Sequence, residues 1–284
     1  MTPQEALEYI NASAHTDYSV NVQYSGGEDQ GAFQVVTSNG TRAVLKMNRN
    51  PLWVSQVRRA KAATDHLKGL GYPVPTYAYV DSTDRGTFSL QSELPGATTV
   101  PTLDLAKQVV GFVELQKGQT ISEVQGQDWV WYMNAVVFRG EFGNVRALMQ
   151  YSHETSALVA DIEGLVSGLD GKMLPQTDLV HGDMGFNQVL VNDGKVTGVV
   201  DWDQVGYGDR IMDIASLWYS TLEVAEARDF IMQHMLEVSD KETIKICSAY
   251  KMLSTVAWHI NKVGGDVESV AAQARNALGL LRQI

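Results

Sequence analysis

The sequence predicts an α+β fold in two lobes, a β-rich N-terminal lobe followed by a mainly helical C-terminal lobe. Three observations predict it. Between residues 20 and 47 three β-rich runs follow one another, the last two joined by Asn39-Gly40, the strongest short-range hairpin signal. Leu94-Pro95-Gly96 then punctuates the chain, as Pro-Gly pairs do between elements. Beyond it the apolar residues recur mostly with helical period. The 284 residues suit one large domain or two coupled lobes, and 44% apolar against 19% charged residues supply a core.

Each element has a local reason. Thr2-Pro3-Gln4-Glu5 is a capping box with proline at the first helical position, so a helix starts there with Leu7 and Ile10 on its apolar side. Val20, Val22 and Tyr24 alternate as in a strand, and the glycine-rich stretch 25–31 breaks the pattern. Strands follow over 33–38 and 41–47. Residues 53–68 read as a helix closed by Gly69 and Gly71, and Pro73-Val74-Pro75 forbids its continuation. Two more strands are expected near 76–80 and 87–93. Helices are expected over 102–117, 128–149 and 152–167, and again from about 211 to the end. One β island interrupts them, with strands near 189–191 and 196–200 around Asn192-Asp193-Gly194. The expected division is a lobe of residues 1–95 and a helical lobe of residues 96–284 with that hairpin embedded in it. A cleft between lobes is where ligands usually bind.

The net charge is −11, unevenly spread. Residues 1–95 carry 8 Lys and Arg against 9 Asp and Glu, whereas residues 96–284 carry 14 against 24. That balance argues against a nucleic-acid partner, which asks for a basic stripe. It permits a cationic ligand, although from composition alone ordinary solubility charge is the first reading. No run of eighteen apolar residues suggests a membrane span. The start, Met-Thr-Pro-Gln-Glu, lacks the basic and apolar segments of a secretory signal. Cys247 is the single cysteine, which excludes an internal disulfide framework and a cysteine zinc cage. A cytoplasmic protein, monomeric or homodimeric, is expected.

The chemistry is concentrated in His181-Gly182-Asp183-Met184-Gly185-Phe186-Asn187-Gln188, a polar cluster before an apolar β run, and in Asp201-Trp202-Asp203 after the next β run. Pairing of those runs brings Asp183, Asn187 or Gln188, and Asp201 to one end of a hairpin. Two carboxylates and an amide oxygen make a hard-cation site of the Mg²⁺ type. Any one of these residues alone reads as a strand-end turn residue; the whole set at this spacing does not.

The pattern of His-Gly-Asp, an amide four or five residues on, an apolar strand and Asp-Trp-Asp resembles the aminoglycoside phosphotransferases and their kinase-like relatives. Gly208-Asp209-Arg210-Ile211-Met212-Asp213 and Leu94-Pro95-Gly96 fit as well. Asp183 to Leu190 looks most like the hygromycin B phosphotransferase type. The resemblance is specific over residues 180–215 and weak elsewhere. It implies a two-lobed protein-kinase-like fold and an ATP- (or GTP-) and Mg²⁺-dependent O-phosphotransferase. Asp183 would accept the proton of the acceptor hydroxyl or orient it. In a loose phosphoryl transition state, positioning and charge neutralisation contribute most. Asp201 would bind the metal, and Lys46 would neutralise the nucleotide phosphates. Gly26, Gly27 and Gln30 would lie in the loop over the phosphates, and Ser92, Glu93 and Leu94 would offer backbone groups to the base.

Two departures from the family pattern stand out. The second metal ligand, most often Asn five residues after the catalytic Asp, is here Gln188, with Asn187 one residue earlier. The helix glutamate that pairs the strand lysine in kinases is missing: residues 53–68 hold one acid, Asp65. Of the rest, His181 reads as a buried scaffold, Asp213 as an anchor for backbone N–H groups of the catalytic loop, and Trp129, Trp131 and Tyr132 as helix packing. Trp202, Trp218 and Cys247 read as core. Asp203, Glu223 and Glu226 are candidates to meet a cationic acceptor. The expected function is phosphorylation of a hydroxyl on a small cationic antibiotic (an aminoglycoside, a hygromycin-like drug or a basic cyclic peptide), conferring resistance. A kinase for choline, a sugar or a homoserine-like acceptor is the alternative, and a nucleotide-binding pseudokinase the third.

Overall fold

A computed structural model describes residues 1–24, 31–124, 126–141, 144–171, 174–262 and 265–284. The chain forms two compact units. The first comprises Met1–Thr98, Ile121–Val124 and Val189–Val205; the second comprises Thr99–Thr120, Gln125–Gln188 and Gly206–Ile284.

In the first unit, α1 (Pro3–Ala14) begins with the expected reciprocal cap: Thr2 Oγ1 accepts from Glu5 N at 3.2 Å, and Glu5 Oε2 accepts from Thr2 N at 2.7 Å. An antiparallel five-stranded sheet follows, ordered β1-β2-β3-β5-β4, from β1 (Ser19–Gln23), β2 (Ala32–Val36), β3 (Arg42–Asn48), β4 (Tyr77–Thr83) and β5 (Gly86–Ser92). The Asn39-Gly40 turn forms as expected, with Gly40 at φ 86° and its N–H bonded to Thr37 O. The two-residue period of β3 sends Ala43, Leu45 and Met47 into a core with Ala6, Leu7 and Ile10 of α1 and Phe33, Val35, Phe88 and Leu90. The same alternation puts Lys46 on the opposite face. Helix α2 (Val54–Gly69) packs on β4, β5 and the 3₁₀ turn Trp202–Gln204.

The hairpin of β7 (Val189–Asn192) and β8 (Lys195–Val199) packs with the first unit. Ala97 exchanges backbone bonds with Val191, Val199 N donates to Pro73 O, and Leu94 lies over Gly198. These contacts, made with Pro73 and the stretch around Pro95-Gly96, tie the hairpin to the first unit, whereas the sequence placed it in the helical lobe.

The second unit is helical: α3 (Leu103–Glu114), α4 (Trp129–Arg139), α5 (Asn144–Tyr151), α6 (His153–Val166), α7 (Ile211–Ser220), α8 (Ala225–Val238), α9 (Lys241–Asn261) and α10 (Val267–Leu281). Helix α9 is the hub, packed by α4, α5, α6, α7, α8 and α10. The single helix expected over 128–149 is two helices. Gly140, left-handed at φ 62°, caps α4 and donates to Ala135 O, which ends the helix as glycine caps do. Two short strands were not expected, β6 (Asp178–Val180) and β9 (Gly206–Gly208), paired antiparallel. No helix among the described residues is long and apolar enough to cross a membrane.

Candidate active site

The His-Gly-Asp loop leaves β6 in the second unit. Gly182 turns it at φ 88°, a conformation glycine adopts without steric cost. The buried carboxylate of Asp213, in the first turn of α7, holds the turn. Its Oδ2 accepts from His181 N at 2.7 Å and from Gln116 Nε2 at 2.8 Å, and its Oδ1 accepts from Gly182 N at 3.1 Å. Asp213 is therefore the backbone anchor that its position in the sequence suggested. Burial pushes its carboxyl up, against the donated hydrogen bonds. His181 is fully buried, and its Nδ1 accepts from Asp183 N at 3.3 Å. Backbone clamping leaves the Asp183 side chain 54% exposed.

Gln188 is the buried amide beside Asp183: its Nε2 lies 3.5 Å from Asp183 Oδ2. Asn187 is exposed, and its Oδ1 folds back over Gly185, where a Cβ would meet it at 2.5 Å. A residue missed by sequence reasoning joins them. Lys251 of α9 places Nζ 3.9 Å from Asp183 Oδ1. Its neighbour Tyr250 forms an edge-on aromatic cluster with Trp129 and Tyr132. Trp129 and Tyr132 pack as expected, whereas Trp131 is half exposed beneath Arg139.

A second buried network steadies the same unit. Arg210 donates to Asp178 Oδ2 at 3.1 Å and to Glu114 Oε2 at 3.0 Å, and Asp178 Oδ1 accepts from Gly118 N. Glu223 and Glu226 are exposed, around the start of α8. Trp218 and Cys247 are buried, and burial pushes the Cys247 thiol up, as for an unreactive core cysteine.

The first unit holds the other set. Asp201 follows β8 at φ 68°, a left-handed conformation that Asp tolerates better than most residues. The buried Trp202 fixes this bend: its indole Nε1 donates to Val199 O at 2.9 Å and its ring meets Tyr72 edge-on. The bend ends the strand, and the 3₁₀ turn swings Asp203 towards Lys46. Lys46 Nζ lies 2.7 Å from Asp201 Oδ1 and 3.5 Å from Asp203 Oδ2. Burial works to lower the Lys46 pKa, but Asp203 and Asp201 override it and hold the amine well above the usual lysine range. The structure thus places Asp203, expected to meet an acceptor, against the lysine. Asp201 and Asp203 differ in access, with side chains 43% and 16% exposed. Asp203 Oδ1 is buried with no hydrogen-bond partner among the described residues.

Of the residues expected near the base, Ser92 ends β5 with its Oγ accepting from Thr76 N, and Glu93 accepts from Tyr24 Oη at 2.8 Å and from Gln34 Nε2. Leu94 packs over Gly198. Gly26, Gly27 and Gln30 lie outside the described residues.

Residues 21–236 match the model of the phosphotransferase enzyme family. A hygromycin-B 4-O-kinase of Escherichia coli is 39% identical over 41 residues, a stretch spanning 14% of this chain and 12% of that enzyme's length. A viomycin phosphotransferase of Streptomyces vinaceus is 25% identical over 196 residues, 56% of this chain and 64% of its own. Among solved structures, a thermostable mutant of aminoglycoside phosphotransferase APH(4)-Ia in ternary complex with ADP and hygromycin B superposes with a TM-score of 0.73. It is 17% identical and covered over 97% of both chains. That likeness shows a shared fold.

Proposed function

The chain belongs to the phosphotransferase enzyme family, and we propose that it transfers a phosphoryl group from MgATP to a hydroxyl of a small cationic antibiotic and thereby confers resistance. The observation that carries this reading is the clamped loop: Asp213 fixes the His181 and Gly182 backbone, leaving Asp183 exposed beside Gln188. A carboxylate held this way can orient a hydroxyl and take its proton.

The residues present fit a divalent cation with nucleotide phosphates. Carboxylate oxygens are the ligands a hard cation prefers, and Asp201 is a carboxylate with a side chain 43% exposed. Mg²⁺ with ATP supplies the phosphoryl group and neutralises its charge. Asp201 is the protein's metal ligand in this reading and Gln188 the second, since Gln188 is buried beside Asp183 while Asn187 folds over Gly185. Lys46 neutralises phosphate charge. Ser92, Glu93 and Leu94 offer backbone groups to the base, and Gly26, Gly27 and Gln30 belong to the phosphate loop. Asp183 orients the acceptor hydroxyl, and Lys251 balances the charge gathering around it.

The excess acid of residues 96–284 supports a cationic acceptor, as do the names of the relatives, a hygromycin kinase and a viomycin phosphotransferase. Glu223 and Glu226 remain the exposed acids that would meet such a drug. The test is ADP release with MgATP and a panel of aminoglycosides, hygromycin B, viomycin, choline, homoserine and simple sugars. Turnover of a cationic antibiotic, with an acceptor KM that rises with salt, is expected, because added salt shortens the Debye length from ~10 Å at 0.1 M to ~3 Å at 1 M. Turnover of choline, homoserine or a sugar with none of the antibiotics would replace this reading with a metabolic kinase.

A further inference from the structure

Kinases of this kind need a carboxylate to hold the strand lysine, and α2 supplies none. Its one acid, Asp65, is bound to Lys61 at 2.6 Å on the exposed side of the helix. Lys46 is nevertheless held by two carboxylates of the first unit, and these are not equivalent. Asp201 is the nearer and the more exposed, placed to exchange its partner. Asp203 is the more buried, set by a turn whose Trp202 is fully buried and bonded to Val199. The Trp53 indole Nε1, at the head of α2, donates to the same Asp203 Oδ2 at 3.4 Å. The other oxygen, Oδ1, has no partner among the described residues. A buried acceptor left unpaired is costly, and an ammonium with three donors is the neighbour suited to satisfy it.

We infer that Asp203 is the positioning residue for Lys46, taking the place of the missing helix glutamate. Resting on the phosphotransferase reading, the inference assigns Asp201 and Asp203 successive partnerships with one lysine. Without nucleotide, Lys46 is shared by both. Were Asp201 to hold a cation, Lys46 would pass wholly to Asp203, whose Oδ1 would receive it, and its ammonium would stay available to the nucleotide phosphates. Trp53 ties Asp203 to the start of α2, so the helix still contributes to the lysine's setting, through an indole rather than an acid.

The test is calorimetric binding of Mg–AMP-PNP and of adenosine to the wild type, Asp203→Asn, Asp203→Glu, Lys46→Ala and the double variant Asp203→Asn/Lys46→Ala. Asp203→Asn should weaken AMP-PNP by about ten- to a hundredfold, the scale for losing a charge-assisted hydrogen bond, and leave adenosine within about twofold. Asp203→Glu should recover a large part of the loss. In the Lys46→Ala background Asp203→Asn should have no further effect, because Asp203 acts through the lysine. Equal losses for adenosine and AMP-PNP, or additive losses in the double variant, would overturn the inference while leaving the kinase reading standing. A wild type that binds no AMP-PNP would overturn both. Should Asp203→Asn fail to fold, Asp203→Ser takes its place, alone and combined with Lys46→Ala. The same AMP-PNP-selective, non-additive loss is then expected, and an unchanged AMP-PNP affinity or an additive loss counts against the inference.

Discussion

Replacing Asp213 with Asn measures how firmly the catalytic loop is clamped. The carboxylate accepts three hydrogen bonds, two on Oδ2 from His181 N and Gln116 Nε2 and one on Oδ1 from Gly182 N. An amide keeps one acceptor oxygen. The cheaper orientation leaves that oxygen at the Oδ2 position and sets NH₂ against the Gly182 N–H, so one half-buried donor loses its partner. That loss costs about 1–3 kcal/mol, reduced by relief of the burial that pushes the carboxyl up. Asp213→Ala strands all three donors and should cost more, about 3 kcal/mol or above. Urea unfolding of both variants gives the two values. Turnover should fall by roughly two orders of magnitude while the KM for ATP changes less, because a displaced Asp183 loses orientation rather than nucleotide contacts. Two variants within about 0.5 kcal/mol of the wild type, with turnover intact, would show that Asp213 does not organise the loop.

Two further outcomes follow from the same geometry. Burial lifts the Asp209 carboxyl to about 6, from 3.8 when unfolded. The folded state thus holds the extra proton between those values, and the group's favourable contribution, present at low pH, is lost as pH rises through about 6. Asp209→Asn, which keeps the acceptor for Ile211 N, should be the more stable protein at pH 7.5, by at most about 3 kcal/mol, with the gap closing towards pH 4. Thermal melts at both pH values check this, and a variant less stable at pH 7.5 contradicts it. Gln188→Ala should raise the Mg²⁺ concentration needed for half-maximal turnover, whereas Asn187→Ala should leave it near the wild type; the reverse pattern would transfer the ligand role to Asn187.

Much of this was legible in the sequence because it is local. The Thr2–Glu5 cap, the Asn39-Gly40 turn and the polar cluster before an apolar strand each declare themselves within ten residues. Asp213 could be paired with the His-Gly-Asp loop through the family resemblance, and the hydrogen bonds from His181 N and Gly182 N follow that expectation, whereas the third, from the Gln116 side chain, had no signal. What was missed depends on tertiary contact. β9 is Gly-Tyr-Gly, too short for periodicity; a Cβ at Gly206 would strike Gln127 and Trp129, and one at Gly208 would crowd Trp129. The break between α4 and α5 did have a signal, Gly140, overridden by the apolar period on either side. Lys251 reaches Asp183 from a helix distant in sequence, and nothing in its own neighbourhood marks it. Asp203 reads in the sequence as a candidate to meet a cationic acceptor. The left-handed Asp201 and the buried Trp202 turn it instead onto Lys46, a partner on β3, far earlier in the chain.

The most direct test of the account is Asp183→Asn, assayed by mass spectrometry of the antibiotic after incubation with MgATP. The two side chains are the same size, so AMP-PNP affinity and unfolding should stay near the wild type. Appearance of the phosphorylated drug should slow by ~10²–10⁴-fold, the scale for losing a positioned acid or base. A variant that phosphorylates the same acceptor at more than half the wild-type rate would show that the chemistry does not run through Asp183.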